Sequence, residues 1–324
     1  MPNSTSAGES GKSIDSLGGT VSVVIPLYNH ARYIEAALES VLSQTSPADE
    51  IVLIDDGSSD DGYEIASRLL SKVPQAKVVR QANAGANNAI NRAIALSVGQ
   101  YIAVLNSDDV FNESKLERFR ALAAANPRIG LIAGGVGIID AESAKQTTGY
   151  AVDWLSRAIS FYIKSQLPQL ALLNENFVAT TSNMVFSRDL WRAAGGFHEL
   201  RYCHDLDFLM FAYGYGPVML DLANEHIEYR VHSKNTIGEN IARIRVELAA
   251  VISQTLFASG SKIFSSTLDE EDFLAFQQFS ANKGLSHLVL FFLSIRSAFA
   301  SRAEFYKYAL APQRAAAFQA SVST

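Results

Sequence analysis

"VSVVIPLYNHARYIEAALESVLSQTSPADEIVLIDDGSSDDG", residues 21–62, changes its period twice. "VSVVIP" at 21–26 and "EIVLID" at 50–55 are short, β-rich apolar runs without polar alternation, the pattern of strands buried on both faces. Between them Ile34, Leu38, Val41 and Leu42 fall on one face of a helix. A buried strand, an amphipathic helix and a second buried strand in succession form a crossover between parallel neighbours.

Downstream the alternation continues. "AKVVR" at 76–80 and "YIAVL" at 101–105 supply two further strands, Ile65, Leu69 and Leu70 share a second helix face, and residues 86–97 and 113–125 supply two more helices. The N-terminal half is therefore expected to be an open parallel α/β sheet with helices on both faces. Ligands of such sheets gather at the carboxyl ends of the strands. Four polar segments fall there: "PLYNH" at 26–30, "DDGSSDD" at 55–61, "QANAGANNA" at 81–89 and "NSDDV" at 106–110.

The remainder is less regular. Residues 131–232 mix strand-like runs with a Gly-Gly-Phe turn and the acidic "CHDLDF", and from about 240 the period is helical, as in a helical appendage. With 48% hydrophobic and 19% charged residues the chain reads as globular, and its net charge of -6 argues against a nucleic-acid partner. The single cysteine, Cys203, excludes an internal disulfide and a thiolate zinc cluster and favours a reducing, cytoplasmic setting. Residues 1–19, rich in Ser and Gly, lack the apolar core of a signal peptide and are expected to be a disordered tail. The dense apolar run "LVLFFL" at 288–293 is far shorter than the roughly 18 residues a membrane span needs.

Two nucleotide motifs are excluded on spacing. "GESGKS" at 8–13 has Ser6 where a phosphate loop needs Gly, and Pro26, Leu27, Tyr28 and Asn29 occupy the place of a dinucleotide Gly-x-Gly-x-x-Gly. Asn29 suits a cap of the following helix, whereas Tyr28 would present its ring at the top of the sheet, where a flat base can stack. Asp55, Asp56, Gly57 and Ser58 suit a turn and cap, yet a second carboxylate exceeds that need and can accept a hydrogen bond from a base N–H. Asp108 and Asp109 either start helix 113–125 at its positive end or hold a cation, for which oxygen ligands suit Mg²⁺ or Mn²⁺.

Taken together, "VSVVIPLYNHARYIEAALESVLSQTSPADEIVLIDDGSSDDG", "QANAGANNAINRAI" and "GQYIAVLNSDD" resemble the family 2 glycosyltransferases of bacterial-polysaccharide type. The likeness covers about residues 21–232. It implies a GT-A fold, an α/β Rossmann-like sheet, with a nucleotide-sugar-binding half at 20–125, an acceptor-binding half at 126–238 and a helical extension at 239–324. It further implies inverting transfer of a sugar from a nucleoside-diphosphate donor, UDP before other nucleotides, to a hydroxyl of a saccharide or lipid-linked acceptor.

By matching positions the resemblance assigns Pro26, Tyr28, Asn29, Asp56, Asn83, Asn91, Asn106 and Ser107 to the donor. It assigns Asp108, Asp109 and, within "YRVH" at 229–232, His232 to a Mg²⁺ or Mn²⁺ ion. Asp205, in "GGFHELRYCHDLDF", becomes the base on the acceptor hydroxyl. Three positions depart from the pattern: Ile90 replaces an Arg, leaving Arg92 as the nearest cation, Asn106 replaces the first Asp of the D-x-D motif, and His204 replaces a Glu. The change Asn106→Asp is accordingly expected to be tolerated.

Two alternatives carry different chemistry. One is a GT-A module that binds nucleotide sugar without catalysis; the other, a sugar-1-phosphate nucleotidyltransferase, needs a Gly-rich basic loop that "PLYNHARY" does not provide. In the C-terminal region Lys283, Arg296, Arg302, Lys307 and Arg314 alternate with aromatic residues, as suits peripheral contact with the inner face of a membrane. Packing against the catalytic part or against another copy of the chain is the plainer reading of the same helices.

Overall fold

A computed structural model describes residues 19–233, 235 and 239–322; the tail expected over 1–19 lies, except for Gly19, outside the described residues. Strands β1 (Val21–Leu27) and β2 (Glu50–Asp55) are buried along their whole length, as continuous apolar runs require when helices cover both faces. Helix α1 (Ile34–Leu42) buries Ile34, Ala37, Leu38 and Val41, the stripe read from the sequence save for Leu42, which is exposed. Helix α2 (Gly62–Leu70), strand β3 (Ala76–Arg80), helix α3 (Ala86–Leu96) and strand β4 (Tyr101–Val104) complete the parallel half.

The register brings the strand ends together. Leu27 pairs with Asp55 and Val24 with Val104, so the segments after β1, β2 and β4 emerge at one edge of the sheet. A two-residue strand, β5 (Val110–Phe111), and helix α4 (Lys115–Ala125) follow.

The second half resolves into β6 (Leu131–Ile139), α5 (Tyr150–Ser165), α6 (Pro168–Asn174), β7 (Met184–Ser187), α7 (Arg188–Ala194), α8 (His204–Tyr215) and β8 (Val218–Arg230). Among the described residues eight strands form one sheet in the order β3-β2-β1-β4-β7-β6-β8-β5, with β7 antiparallel to both β4 and β6. The two halves thus share a sheet and a core. The glycines of "LIAGGVGII" let β8 lie close: a Cβ on Gly134 would fall 2.1 Å from the His226 ring, and the β6–β8 register shifts at this point.

Among the described residues that follow are the helices α9 (Ile241–Ser259), α10 (Glu270–Lys283), α11 (Ser286–Ile295), α12 (Arg302–Ala309) and α13 (Pro312–Ala320). Helix α9 packs against α8, α11, α12 and α13. Part of the pattern read as membrane-facing is turned inward, while Lys307, Arg314 and Phe291 are exposed. Arg296 is buried and donates to Phe299 O, Arg302 donates to Ala194 O at 2.6 Å, and Phe292, Phe305 and Tyr306 are core residues. Arg302 thus ties α12 to α7, and no described helix is long and apolar enough to cross a membrane.

Candidate active site

A cleft of about 890 Å³ runs along the carboxyl edge of the sheet and across to the start of α8. Pro26, Tyr28, Asn29, Asp56, Asn83, Asn106, Ser107, Asp108 and Asp205 all line it, so residues from five separate segments meet there. At one end of the cleft Tyr28 is 47% exposed. Asp56, 3% exposed, accepts from Ala84 N at 2.8 Å, Gly85 N at 2.9 Å and Gln81 Nε2 at 2.7 Å, which ties the loop after β3 to the end of β2. Asn29 caps the neighbouring loop instead of its own helix: in the left-handed region at φ 53°, it accepts from Ser59 N at 2.8 Å.

Asn91 is placed differently from expectation. Its Oδ1 accepts from Trp191 Nε1 and Phe197 N, both at 2.9 Å, and its Nδ2 donates to Phe197 O at 2.8 Å. All of these partners lie on α7 or the Gly-Gly-Phe turn, so Asn91 fixes that turn to α3 and does not line the cleft. Ile90 is fully buried, and Arg92 donates to Gln81, away from the cleft wall. Asn87, which sequence reasoning passed over inside "QANAGANNA", does line the cleft, and its buried Nδ2 has no hydrogen-bond partner.

The two adjacent carboxylates part company, as neighbouring side chains at a strand end do. Asp108 lies beside His232, with Nε2 3.1 Å from Oδ2, and beside His30, with Nδ1 3.9 Å from Oδ1. Burial alone would raise the Asp108 pKa, but the His232 hydrogen bond and the two imidazoles prevail and hold it low. One ligand atom from each of the three residues lies within 4.8 Å of the others, a two-imidazole, one-carboxylate set that fits a divalent cation. Tyr33 stacks on the His232 ring at 4.9 Å and holds its orientation.

Asp109 does not join them, which corrects its expected place in the metal set. Its side chain turns inward, 1% exposed, to accept from Ser182 Oγ at 2.5 Å, Thr180 Oγ1 at 3.1 Å and Arg230 N at 3.1 Å. Burial and the neighbouring Asp108 charge push its pKa up to about 7. Lys115 below it, fully buried, donates to Ser182 O at 3.0 Å and is brought down to about 7 by the same desolvation, against the pull of Asp109. Asn106 belongs to the same network, donating to Thr180 Oγ1 at 2.8 Å and accepting from Thr181 Oγ1 at 3.0 Å.

At the far end Asp205 stands in the first turn of α8, accepting from Asn176 Nδ2 at 3.1 Å and Leu206 N at 2.7 Å. Burial raises its pKa above the ordinary carboxylate value, which suits a proton acceptor. His204 also lines the cleft. Asp207, 2% exposed, is structural: it accepts from His198 Nδ1 at 2.7 Å and Tyr306 Oη at 2.5 Å and lies 3.4 Å from Arg302 Nη1.

Sequence reasoning had not assigned His30, Asn176 or Thr180. The first was legible as a polar residue beyond β1; the others had no local signal, since side-chain contacts of the loop between α6 and β7 bring them to Asp205 and Asn106.

The glycosyl transferase family 2 profile matches residues 22–193 of the chain. The glycosyltransferase GlyG of Streptococcus pneumoniae is 38% identical over 98 residues, which cover 30% of this chain and 33% of GlyG. An uncharacterised glycosyltransferase of a Nostoc strain is 37% identical over 113 residues, covering 35% of each chain. The matches therefore span about a third of the curated relatives' length.

Among solved structures, Staphylococcus aureus TarS in complex with UDP superposes with a TM-score of 0.58 at 18% identity, over 92% of this chain and 83% of that one. A mannosyltransferase of Pyrobaculum calidifontis in complex with GDP-Man and Mn²⁺ superposes with a TM-score of 0.56 at 17% identity, over 94% and 85%. At those identities the likeness is one of fold. By the profile match over more than half of its length, with the GT-A sheet to accompany it, the chain belongs to glycosyl transferase family 2.

Proposed function

We propose that the protein is a metal-assisted, inverting glycosyltransferase that moves a sugar from a nucleoside-diphosphate donor, UDP before other nucleotides, to a hydroxyl of a saccharide or lipid-linked acceptor. The observation that supports this reading is the meeting, in one cleft, of an exposed Tyr28 with Asp56, of Asp108 within a His30–Asp108–His232 group able to hold a cation, and of a separate carboxylate, Asp205, with a raised pKa. UDP in TarS and GDP-Man with Mn²⁺ in the mannosyltransferase give the donor class its chemistry.

In this mechanism Tyr28 stacks on the nucleobase, Asp56 accepts from its N–H edge, and Asn83, Asn87 and Asn106 border the ribose and diphosphate. Asp108, His232 and His30 would hold Mg²⁺ or Mn²⁺, which when bound supplies positive charge to the departing diphosphate. Asp205 takes the proton of the acceptor hydroxyl as its oxygen bonds to the anomeric carbon. The anomeric C–O bond breaks on the opposite side, and its electron pair leaves with the nucleoside diphosphate. A single displacement of this kind inverts the anomeric centre.

Thermal-shift measurements with UDP, GDP and dTDP sugars in Mn²⁺ identify the donor, because a ligand of the native state raises its stability. Release of nucleotide from that donor, lost in Asp205→Asn, is the expected result. Binding of the donor without release of nucleotide under any acceptor would instead identify a binding module.

A further inference from the structure

Glu247, in the second turn of α9, is fully buried, yet the chemistry above makes no use of it. Its carboxylate meets three successive backbone amides: Oε1 accepts from Arg201 N at 3.1 Å, and Oε2 accepts from Tyr202 N at 2.8 Å and Cys203 N at 3.2 Å. Arg243, one turn earlier on the same helix, donates through Nε to Oε1 at 3.3 Å. A charge is kept out of water only where such donors replace its hydration. Here the donors belong to the segment that leads into α8, and Leu200, Arg201, Tyr202, His204 and Asp205 of that segment line the cleft.

The start of α9 also reaches the cleft directly. Glu239 and Arg243 line it; Arg201 grips Glu239 through Nε at 2.8 Å and Nη2 at 2.7 Å; and both guanidinium groups lie over the Tyr202 ring, at 5.9 and 6.0 Å. One buried carboxylate thus sets the path of three residues, two of which, Arg201 and Tyr202, line the cleft, and whose next residues begin the helix that carries Asp205.

We propose that α9 is the back wall of the acceptor site and that Glu247 is a positioning residue, fixing segment 201–203 and thereby the attitude of Asp205 toward the acceptor hydroxyl. The proposal rests on the glycosyl-transfer reading given above. Displacement of a reacting group by about 1 Å can cost about a hundredfold in rate, so a clamp on this segment acts on turnover while leaving the donor end untouched. In Glu247→Gln the volume is kept, but an NH₂ group faces backbone N–H groups that need an acceptor.

The test uses the full chain in two arms. In the first, hydrogen–deuterium exchange over 201–203 is expected to quicken about tenfold or more in Glu247→Gln, with β1 and β2 unchanged. Unaltered exchange over 201–203 would overturn the clamp. In the second, kcat for nucleotide release from the donor identified above falls about tenfold or more while donor KM stays within about twofold, and Glu247→Asp restores part of the loss. An unchanged kcat, or kcat and donor KM moving together, would overturn the positioning role.

Arg243, whose side chain is 42% exposed and lines the cleft, tests the wall directly. Arg243→Ala should raise KM for a p-nitrophenyl glycoside acceptor about fivefold or more and leave the affinity for UDP with Mn²⁺ unchanged. An unchanged acceptor KM would remove α9 from the acceptor wall. A wild-type protein that releases no nucleotide would sink the glycosyl-transfer reading, while the exchange measurement would still decide the clamp.

Discussion

Asp205 and Asn106 are the side chains whose surroundings make the sharpest claims. Because burial raises the Asp205 pKa, its basic form is lost already above the ordinary Asp value of about 3.9 as pH falls. The acid limb of kcat/KM should therefore lie above that value and reflect this group. Asp205→Asn should lower kcat by about 10²- to 10⁴-fold with donor affinity kept, as removal of a general base does; retention of near-normal kcat would refute the assignment. For Asn106 the structure reverses the expectation that Asp is tolerated. Its Nδ2 donates to Thr180 Oγ1, which in turn donates to Asp109, so a carboxylate there removes a donor and adds a charge beside two others. We expect Asn106→Asp to lose about 1–3 kcal/mol of stability in urea unfolding, the scale of a buried polar group left without its partner.

At the level of the elements, the close contact of β6 with β8 is built on absent side chains. A methyl at Gly134 would collide with His226, which is 1% exposed and tied to Asp221 Oδ2 at 2.8 Å. Gly134→Ala should cost about 1–3 kcal/mol through overpacking and reduce the unfolding midpoint accordingly; a wild-type midpoint would disprove the packing argument. This element also marks how far the sequence could be read. The parallel half was legible because each strand and helix carries its own period, and the ligand end of such a sheet follows from its topology. The strands β6, β7 and β8 were visible only as apolar runs, since their pairing joins residues far apart in the chain and β8 continues through the polar "NEHIEYR". For the same reason Asn91 and Asp109 could be placed near the site but not oriented: their partners, Phe197 and Ser182, are 106 and 73 residues away.

Across the whole molecule, Asp207 joins α8 to the C-terminal helices. It binds His198 within the second half and Tyr306 and Arg302 from α12, so removing this buried carboxylate leaves three partners without it at once. Asp207→Ala should lose about 3–5 kcal/mol, the cost of breaking a buried ion pair on one side only. Burial by itself would raise the Asp207 pKa, but the His198 bond and the Arg302 charge keep it below the ordinary value. A depressed carboxylate contributes stability above its unfolded pKa, about 3.9, that is lost as pH falls through the folded value. Acid unfolding of the wild type should thus be steeper below about pH 4 than that of Asp207→Asn, and identical slopes would contradict the linkage.

Cys203 turns this junction into something that can be watched. Its thiol is buried, and burial together with the Glu247, Asp205 and Asp207 charges raises its pKa well above the free value, so little thiolate is present to react. It is the only cysteine in the chain. A thiol reagent added to the native protein therefore becomes a stopwatch for the opening of a single site, needing no label, no ligand and no knowledge of the acceptor.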